Sequence, residues 1–169
     1  MSIIEIYTDG ACSQGVFMPW PGGYAVYAIM PDREPIIVEG GKIHTTNNEM
    51  ELTAFLKALE VADFQTFMKE YDLVKIFTDS AYIHNCFEQK WYEKWLKNNW
   101  ISSSKEEVKN KELWIKILNL ANKIKKQSSL LILKVTAHST NKYNNIVDEL
   151  AVKAKEKVVK EYENDSTIK

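Results

Sequence analysis

The sequence of 169 residues is poor in cysteine and histidine, which limits the kinds of site that it can form. Its two cysteines, Cys12 and Cys86, stand far apart and make neither a disulfide scaffold nor a CxxC metal motif. The three histidines, His44, His84 and His138, are equally scattered and lack the HExxH spacing of zinc hydrolases. We therefore expect reduced thiols, as in the cytoplasm, and no zinc-dependent chemistry.

Long hydrophobic runs are absent too. Runs such as residues 130–133 fall far short of the roughly 20 residues that a membrane helix requires. The first residues, MSIIE, show no basic region followed by an apolar one, so no secretory signal is recognisable. We expect a single cytoplasmic domain over residues 1–162, with no membrane association, followed by a disordered tail at 163–169.

Charge is distributed unevenly along the chain, although the net charge is only −1. Residues 1–88 hold 5 basic and 13 acidic side chains, whereas residues 89–127 hold 10 lysines and 4 glutamates. An acidic region beside a basic one is typical of metal-dependent nucleases, which bind cations and phosphates. Taken alone, the basic segment is explained at least as well by a solvated helical face.

The hydrophobic pattern predicts five strands and five helices. The predicted strands are residues 3–8, 22–30, 35–42, 73–77 and 130–135. The predicted helices are residues 81–88, 90–97, 110–126 and 144–162, and one that begins near Met50. Three strands in succession indicate an antiparallel meander, and the later alternation adds parallel strands. The sequence therefore predicts an α/β fold, a mixed five-stranded sheet with helices on both faces.

Four acidic residues lie where strands end or helices begin. Asp9 follows the first strand and Asp79 ends the fourth, while Glu51 and Asp148 lie near the start of a helix. Such acids can converge on one edge of the sheet. Two Mg²⁺ ions held by carboxylates can support in-line attack on a phosphate. Each acid also has a structural explanation: a turn residue for Asp9, a helix N-cap for Asp79 and a favourable helix dipole for the other two.

Five sequence blocks occur in an order that resembles type 1 ribonuclease H. They are residues 7–12 (YTDGAC), 22–25 (GGYA), 45–52 (TTNNEMEL), 77–82 (FTDSAY) and 136–151, which ends in NNIVDELA. The resemblance extends from about residue 3 to about residue 157. It implies a ribonuclease H-like fold with a basic, Trp-rich protrusion at about 90–111. It also implies an endonuclease that hydrolyses the RNA strand of RNA–DNA hybrids and leaves 3′-hydroxyl and 5′-phosphate ends.

The resemblance assigns the catalytic site residue by residue. It implies that Asp9, Glu51, Asp79 and Asp148 bind two Mg²⁺ ions in the presence of substrate, with Mn²⁺ as a possible substitute. Gly10 would offer a backbone carbonyl near the same ions. His138 matches a loop histidine that is thought to help proton transfer or product departure in the family.

Two groups of substrate contacts follow from the same resemblance. The first group matches positions that contact the minor groove and a DNA-strand phosphate: Cys12, Thr46, Asn47 and Asn48. The second group lies in the protrusion and is expected to meet the nucleic-acid backbone: Lys94, Trp95, Lys97 and Trp100. The two other tryptophans of this region, Trp91 and Trp114, are expected in the core.

The chain departs from the family pattern in a longer loop at 14–20, in Glu49 at a commonly basic position and in Ala81 at a position where glutamine is common. We expect an active, monomeric enzyme with an altered grip on its substrate and no additional N-terminal hybrid-binding domain. An inactive hybrid-binding module and the ribonuclease H domain of a reverse transcriptase are the alternatives. The intact carboxylates disfavour the first, and the start at Met1 with a complete protrusion disfavours the second.

Overall fold

Five strands form one mixed sheet in the order β3-β2-β1-β4-β5. The structure, a computed structural model, describes residues 1–15, 20–136 and 140–168. The strands are β1 (Ile3–Cys12), β2 (Gly22–Ile29), β3 (Ile36–Lys42), β4 (Leu73–Thr78) and β5 (Ser129–Lys134). The first three strands are antiparallel to one another, whereas β4 runs parallel to β1 and β5 parallel to β4. This arrangement confirms the mixed sheet predicted from the sequence.

Helices cover both faces of the sheet, also as predicted. They are α1 (Asn47–Met68), α2 (Ala81–Glu88), α3 (Trp91–Lys97), α4 (Lys111–Lys125) and α5 (Lys142–Ile168). The strict alternation of β1 separates the two faces, because successive side chains of a strand point to opposite sides. Ile4 and Ile6 are buried in the core that contains α1 and α4, and Tyr7 packs on the other side against Val147 and Ala151 of α5.

No helix within residues 1–15, 20–136 and 140–168 combines the length and the apolar composition needed to cross a membrane.

Two elements extend further than the sequence predicts. Strand β1 continues through Cys12, because Asp9 and Gly10 pair with Ala25 and Tyr24 of β2 instead of forming a turn. Helix α5 continues to Ile168, so the backbone of residues 163–168 is helical where a disordered tail was expected. Both predicted boundaries are wrong, because pairing with β2 extends the first strand and continued backbone hydrogen bonding extends the last helix.

The segment between α2 and α4 has an unusual backbone. All the non-glycine residues with positive φ in the described ranges belong to it: Lys90, Asn99, Trp100, Lys105 and Asn110. Trp100 has φ 63° and is 8% exposed, and its ring lies 5.7 Å from that of Trp95. A bulky residue in this left-handed conformation strains the backbone, and another interaction must offset that cost. Burial of the indole does so, and this corrects the expectation that Trp100 meets nucleic acid.

The other tryptophans of this segment pack as the sequence predicts. Trp114 is fully buried, and its Nε1–H donates a hydrogen bond of 2.9 Å to the hydroxyl of Tyr82. Trp91 is half-buried and packs against the same core. The protrusion is therefore anchored by an aromatic cluster, which leaves its lysines on the outside.

Helix α5 approaches the sheet closely at Gly23 of β2. A Cβ atom at this position would lie 2.3 Å from the carbonyl oxygen of Ala151 and 2.5 Å from the amide nitrogen of Lys155. Both atoms belong to the helix backbone and cannot rotate away. The absence of a side chain at Gly23 is therefore what lets α5 lie at this distance from β2.

We expect Gly23→Ala to destabilise the protein, because α5 must shift to accommodate the added methyl group. Overpacking of this kind costs about 1–3 kcal/mol. The melting temperature should fall by about 2–4 °C for each kcal/mol, measured by thermal unfolding. Gly15→Ala is the matched control, since a Cβ there would meet no atom of the described residues within 4 Å. Equal melting temperatures for the two variants would contradict the close contact.

Candidate active site

Strand register brings Asp9 and Asp79 together. Tyr7 of β1 lies opposite Phe77 of the parallel strand β4, so the residues two positions further along occupy the same level. The Thr8 hydroxyl donates a hydrogen bond of 3.1 Å to the Phe77 carbonyl and ties the two strands together at this end. The carboxyl ends of adjacent parallel strands are the usual place for a site in an α/β sheet.

The N-cap of α2 is Ser80, not Asp79. The Ser80 Oγ accepts a hydrogen bond of 3.2 Å from the backbone N–H of Ile83. Ser80 therefore caps the helix, and the structural role considered for Asp79 is filled without it. The turn explanation for Asp9 fails as well, since Asp9 lies within β1.

Glu51 reaches the same edge because α1 begins very close to β1. A Cβ on Gly10 would lie 2.5 Å from the amide nitrogen of Glu51 and 2.6 Å from the carbonyl carbon of Met50. Thr46 caps the helix by accepting a hydrogen bond of 3.1 Å from the Glu49 N–H. Glu51 is 5% exposed, whereas an acid that serves only the helix dipole belongs in the solvated first turn.

Three of the predicted carboxylates form a tight cluster. Asp9, Glu51 and Asp79 each offer one oxygen, and these oxygens lie within 4.8 Å of one another. Asp148 of α5 lines the same cleft, which has a volume of about 520 Å³, and contributes to the raised pKa of Asp9. The structure thus brings together all four acids that the sequence analysis selected. His138 lies outside the described residues.

The cluster is electrostatically strained. Burial raises the pKa of Asp9 to about 8, and the nearby charge of Asp79 adds to the rise. Burial also raises the pKa of Glu51 well above its usual value, again with a contribution from its neighbour, here Asp9. In the absence of a cation, at least one of these carboxyl groups therefore holds a proton near neutral pH.

The donor set fits a hard divalent cation. All four side chains offer carboxylate oxygens, the ligands that Mg²⁺ prefers. Oε2 of Glu51 is buried and accepts no hydrogen bond from the described part of the chain. A buried carboxylate oxygen without a partner is costly, and a cation at this edge would satisfy it.

The predicted substrate residues fall into two places. Cys12, Asn47 and Asn48 line the carboxylate cleft, and Thr46 is exposed beside it at the start of α1. The protrusion residues Lys94, Trp95 and Lys97 all belong to α3 and are not among the residues that line this cleft. Lys94 and Lys97 are exposed, and Trp95 is half-buried. They lie on a separate element.

Glu49, at a position that is commonly basic in the family, is partly neutralised. Its carboxylate accepts hydrogen bonds of 2.9 Å from Lys42 Nζ and 2.6 Å from the Thr45 hydroxyl. The negative charge beside Thr46 is therefore smaller than the sequence alone indicates.

One residue of the cleft, Lys155 of α5, is not among the site residues predicted from the sequence. Its spacing from Asp148 was a usable signal. Residues seven apart lie on the same face of a helix, so a lysine at this distance from a predicted ligand points to the same side.

Comparison with known proteins agrees with this geometry. Residues 1–156 match the family model of RNase H. The chain belongs to the RNase H family. It is 40% identical over 159 residues to the ribonuclease H of Caldanaerobacter subterraneus subsp. tengcongensis, covering 94% of this chain and 95% of that one. It is 44% identical over 151 residues to the ribonuclease H of Acetivibrio thermocellus, covering 89% and 93%.

Solved structures share the fold. The type 1 enzyme LC9-RNase H1 superposes with a TM-score of 0.73 at 23% identity, over 91% of this chain and 72% of that one. LC11-RNase H1, solved in complex with an RNA/DNA hybrid, gives a TM-score of 0.68 at 22% identity, over 92% and 99%. At these identities the likeness establishes the RNase H fold.

We expect Asp79→Asn to raise the melting temperature of the metal-free protein in EDTA. The Asp9 pKa is about 8 in the folded protein and about 3.8 in the unfolded chain, so the folded state binds more protons in this interval. Stability is therefore lost as the pH rises from about 4 to about 8. Removing the Asp79 charge should lessen this loss, giving a gain on the order of 3 °C above pH 8 and little at pH 5.

Glu149→Gln serves as the control for this measurement, because it removes an exposed carboxylate next to Asp148 in sequence. It should leave the pH profile unchanged. A lower melting temperature for Asp79→Asn above pH 8 would contradict the repulsion and indicate a structural role for Asp79.

Proposed function

We propose that this protein is an endonuclease that hydrolyses the RNA strand of RNA–DNA hybrids. The observation that carries the proposal is the convergence of four carboxylates at one edge of an RNase H fold. Membership of the RNase H family, over residues 1–156, supports it. The products would be a 3′-hydroxyl and a 5′-phosphate end. We further propose that the protein acts as a monomer in the cytoplasm.

Asp9, Glu51, Asp79 and Asp148 would hold two Mg²⁺ ions when substrate is present, and Mn²⁺ would substitute. The backbone carbonyl of Gly10, which lines the cleft, would lie near them. Such cations supply activation of the attacking water and stabilisation of the leaving oxygen. The raised pKa values of Asp9 and Glu51 support this assignment, because burial and the neighbouring carboxylates raise them and a divalent cation would offset both effects.

The remaining residues would position the hybrid and move protons. Asn47 and Asn48 carry exposed amides beside the carboxylates, and amides both donate to and accept from 2′-hydroxyl groups, which distinguish RNA from DNA. Cys12 lies beside them in the cleft, and the Thr46 hydroxyl suits a DNA-strand phosphate. His138 would help proton transfer or product departure, since an imidazole exchanges protons near neutral pH.

The protrusion would bind the hybrid outside the cleft. Lys94 and Lys97 are exposed on α3, where their charges can reach phosphates. Trp95, half-buried among Trp91, Trp100 and Trp114, offers the part of its ring that remains accessible.

We expect Asp9→Asn to nearly abolish cleavage of an end-labelled hybrid in Mg²⁺, because it removes a buried ligand charge. Its melting temperature in EDTA should not fall, since the neutral amide avoids the repulsion at this edge. Unmodified protein should cut in Mg²⁺ and stop in EDTA. Near-normal cleavage by Asp9→Asn would contradict the site assignment, and binding without cleavage by the unmodified protein would favour an inactive hybrid-binding module.

We also expect the double variant Lys94→Gln/Lys97→Gln to weaken hybrid binding and to flatten its salt dependence. Each lost phosphate contact should reduce the slope of log affinity against log salt by roughly 0.9. Lys125→Gln/Lys126→Gln is the matched control, because these two lysines are exposed at the far end of α4. The same slope in both double variants would mean that Lys94 and Lys97 form only a solvated face.

A further inference from the structure

One positively charged side chain lines the carboxylate cleft in the part of the chain that the structure describes. It is Lys155, in the middle of α5, and it shares the cleft with Asp9, Glu51, Asp79 and Asp148. Lys155 is half-buried, in contrast to Lys153 and Lys157 of the same helix, which are exposed. The position of Lys155 therefore differs from that of an ordinary solvated helix lysine.

The backbone fixes Lys155 at this place. Its amide nitrogen lies 2.5 Å from where a Cβ of Gly23 would be, so α5 contacts β2 directly at this residue. Gly23 in turn pairs with Ala11 of β1, next to the catalytic Asp9–Gly10 segment. Since Lys155 follows Asp148 by two helical turns, both side chains point to the same side of α5.

The ammonium group of Lys155 is near the cleft wall but is not neutralised there. Lys155 and Cys12 line the same cleft, and the Lys155 charge acts against the rise in the pKa of the Cys12 thiol that burial causes. Within the described residues, the ion pairs formed by lysines involve Lys42, Lys57, Lys69 and Lys123, and none involves Lys155. An unpaired cation held inside an acidic cleft is available for an anionic ligand.

We propose that Lys155 binds a phosphate of the RNA strand next to the phosphate that is cut. This inference rests on the proposed function, because the carboxylates would then hold the RNA strand within reach of α5. A lysine suits this task, since its long stem and compact charge can contact a single phosphate oxygen. Lys155 is thus a substrate-positioning residue that supplies positive charge where the cluster itself is negative.

The test compares four proteins: the unmodified chain, Lys155→Met, Lys155→Arg and Lys153→Met. Lys153 is the matched control, because it is exposed on the same helix and faces a groove beside β3 instead of the cleft. Cleavage of a hybrid in Mg²⁺ gives kcat and KM for each protein. The equilibrium Kd of the hybrid is measured over a KCl series, with each variant placed in an Asp9→Asn background to prevent cutting.

We expect Lys155→Met to raise Kd and KM roughly five- to tenfold with little change in kcat, as for the loss of one charge-assisted contact. The slope of log affinity against log salt should fall by about one. Lys155→Arg should retain most of the affinity and the slope, and Lys153→Met should match the unmodified chain. A Lys155→Met variant that behaves like Lys153→Met, or that loses kcat at unchanged Kd and slope, would overturn the inference.

The strand is identified with hybrids that carry one neutral methylphosphonate linkage at successive positions. In the unmodified chain, one RNA-strand position near the cut should weaken binding, and Lys155→Met should be insensitive to the same replacement. Insensitivity at a DNA-strand position instead would overturn the assignment to the RNA strand. Failure of the unmodified protein to bind or cut any hybrid would overturn the proposed function as well, a result distinct from failure of the Lys155 inference alone.

Discussion

The carboxylate cleft is governed by the burial of carboxyl groups that the fold forces together, and by the repulsion between them. Asp9 and Glu51 are only 3% and 5% exposed, so water screens their charges poorly. Burial disfavours the charged form of each, and ionisation of one opposes ionisation of the other. A chain that keeps such an arrangement destabilises its own metal-free state. The arrangement becomes favourable once a divalent cation replaces the protons. The cluster is therefore explained by a role in function, since it does not stabilise the metal-free fold.

The rest of the fold keeps these groups in place. The parallel pairing of β1 and β4 sets Asp79 level with Asp9. Because Gly10 has no side chain, α1 can begin close to β1 and place Glu51 beside them. Gly23 does the same for α5, which brings Asp148 to one side of the cleft. Two glycines thus take the place of side chains where helices must approach strands closely. The core that contains Trp114 packs against α1 on one face of the sheet, and a smaller core with Val147 and Ala151 packs under α5 on the other.

Much of this was accessible from the sequence, because strand alternation and helical spacing are local signals. They located the five strands and five helices and the four acids. The signals failed where a distant contact decided the outcome. The Asp9–Gly10 pair has a turn signature, yet pairing with β2 keeps it in a strand. Trp100 lies in a polar stretch, and its burial depends on Trp95 and on a left-handed backbone that no periodicity reveals. The spacing of Lys155 from Asp148 indicates a shared helix face, but its place in the cleft also depends on the approach of α5 to Gly23.

The central claim, that divalent cations replace protons on buried carboxylates, is tested most directly by calorimetry of Mg²⁺ binding. Titrations at pH 7 in two buffers of different ionisation enthalpy measure the protons released per protein. Because the pKa of Asp9 is about 8, binding at pH 7 should release protons, and the release should fade above pH 9 and be smaller in Asp9→Asn. Mg²⁺ binding at pH 7 with the same enthalpy in both buffers, and hence no proton release, would contradict the account.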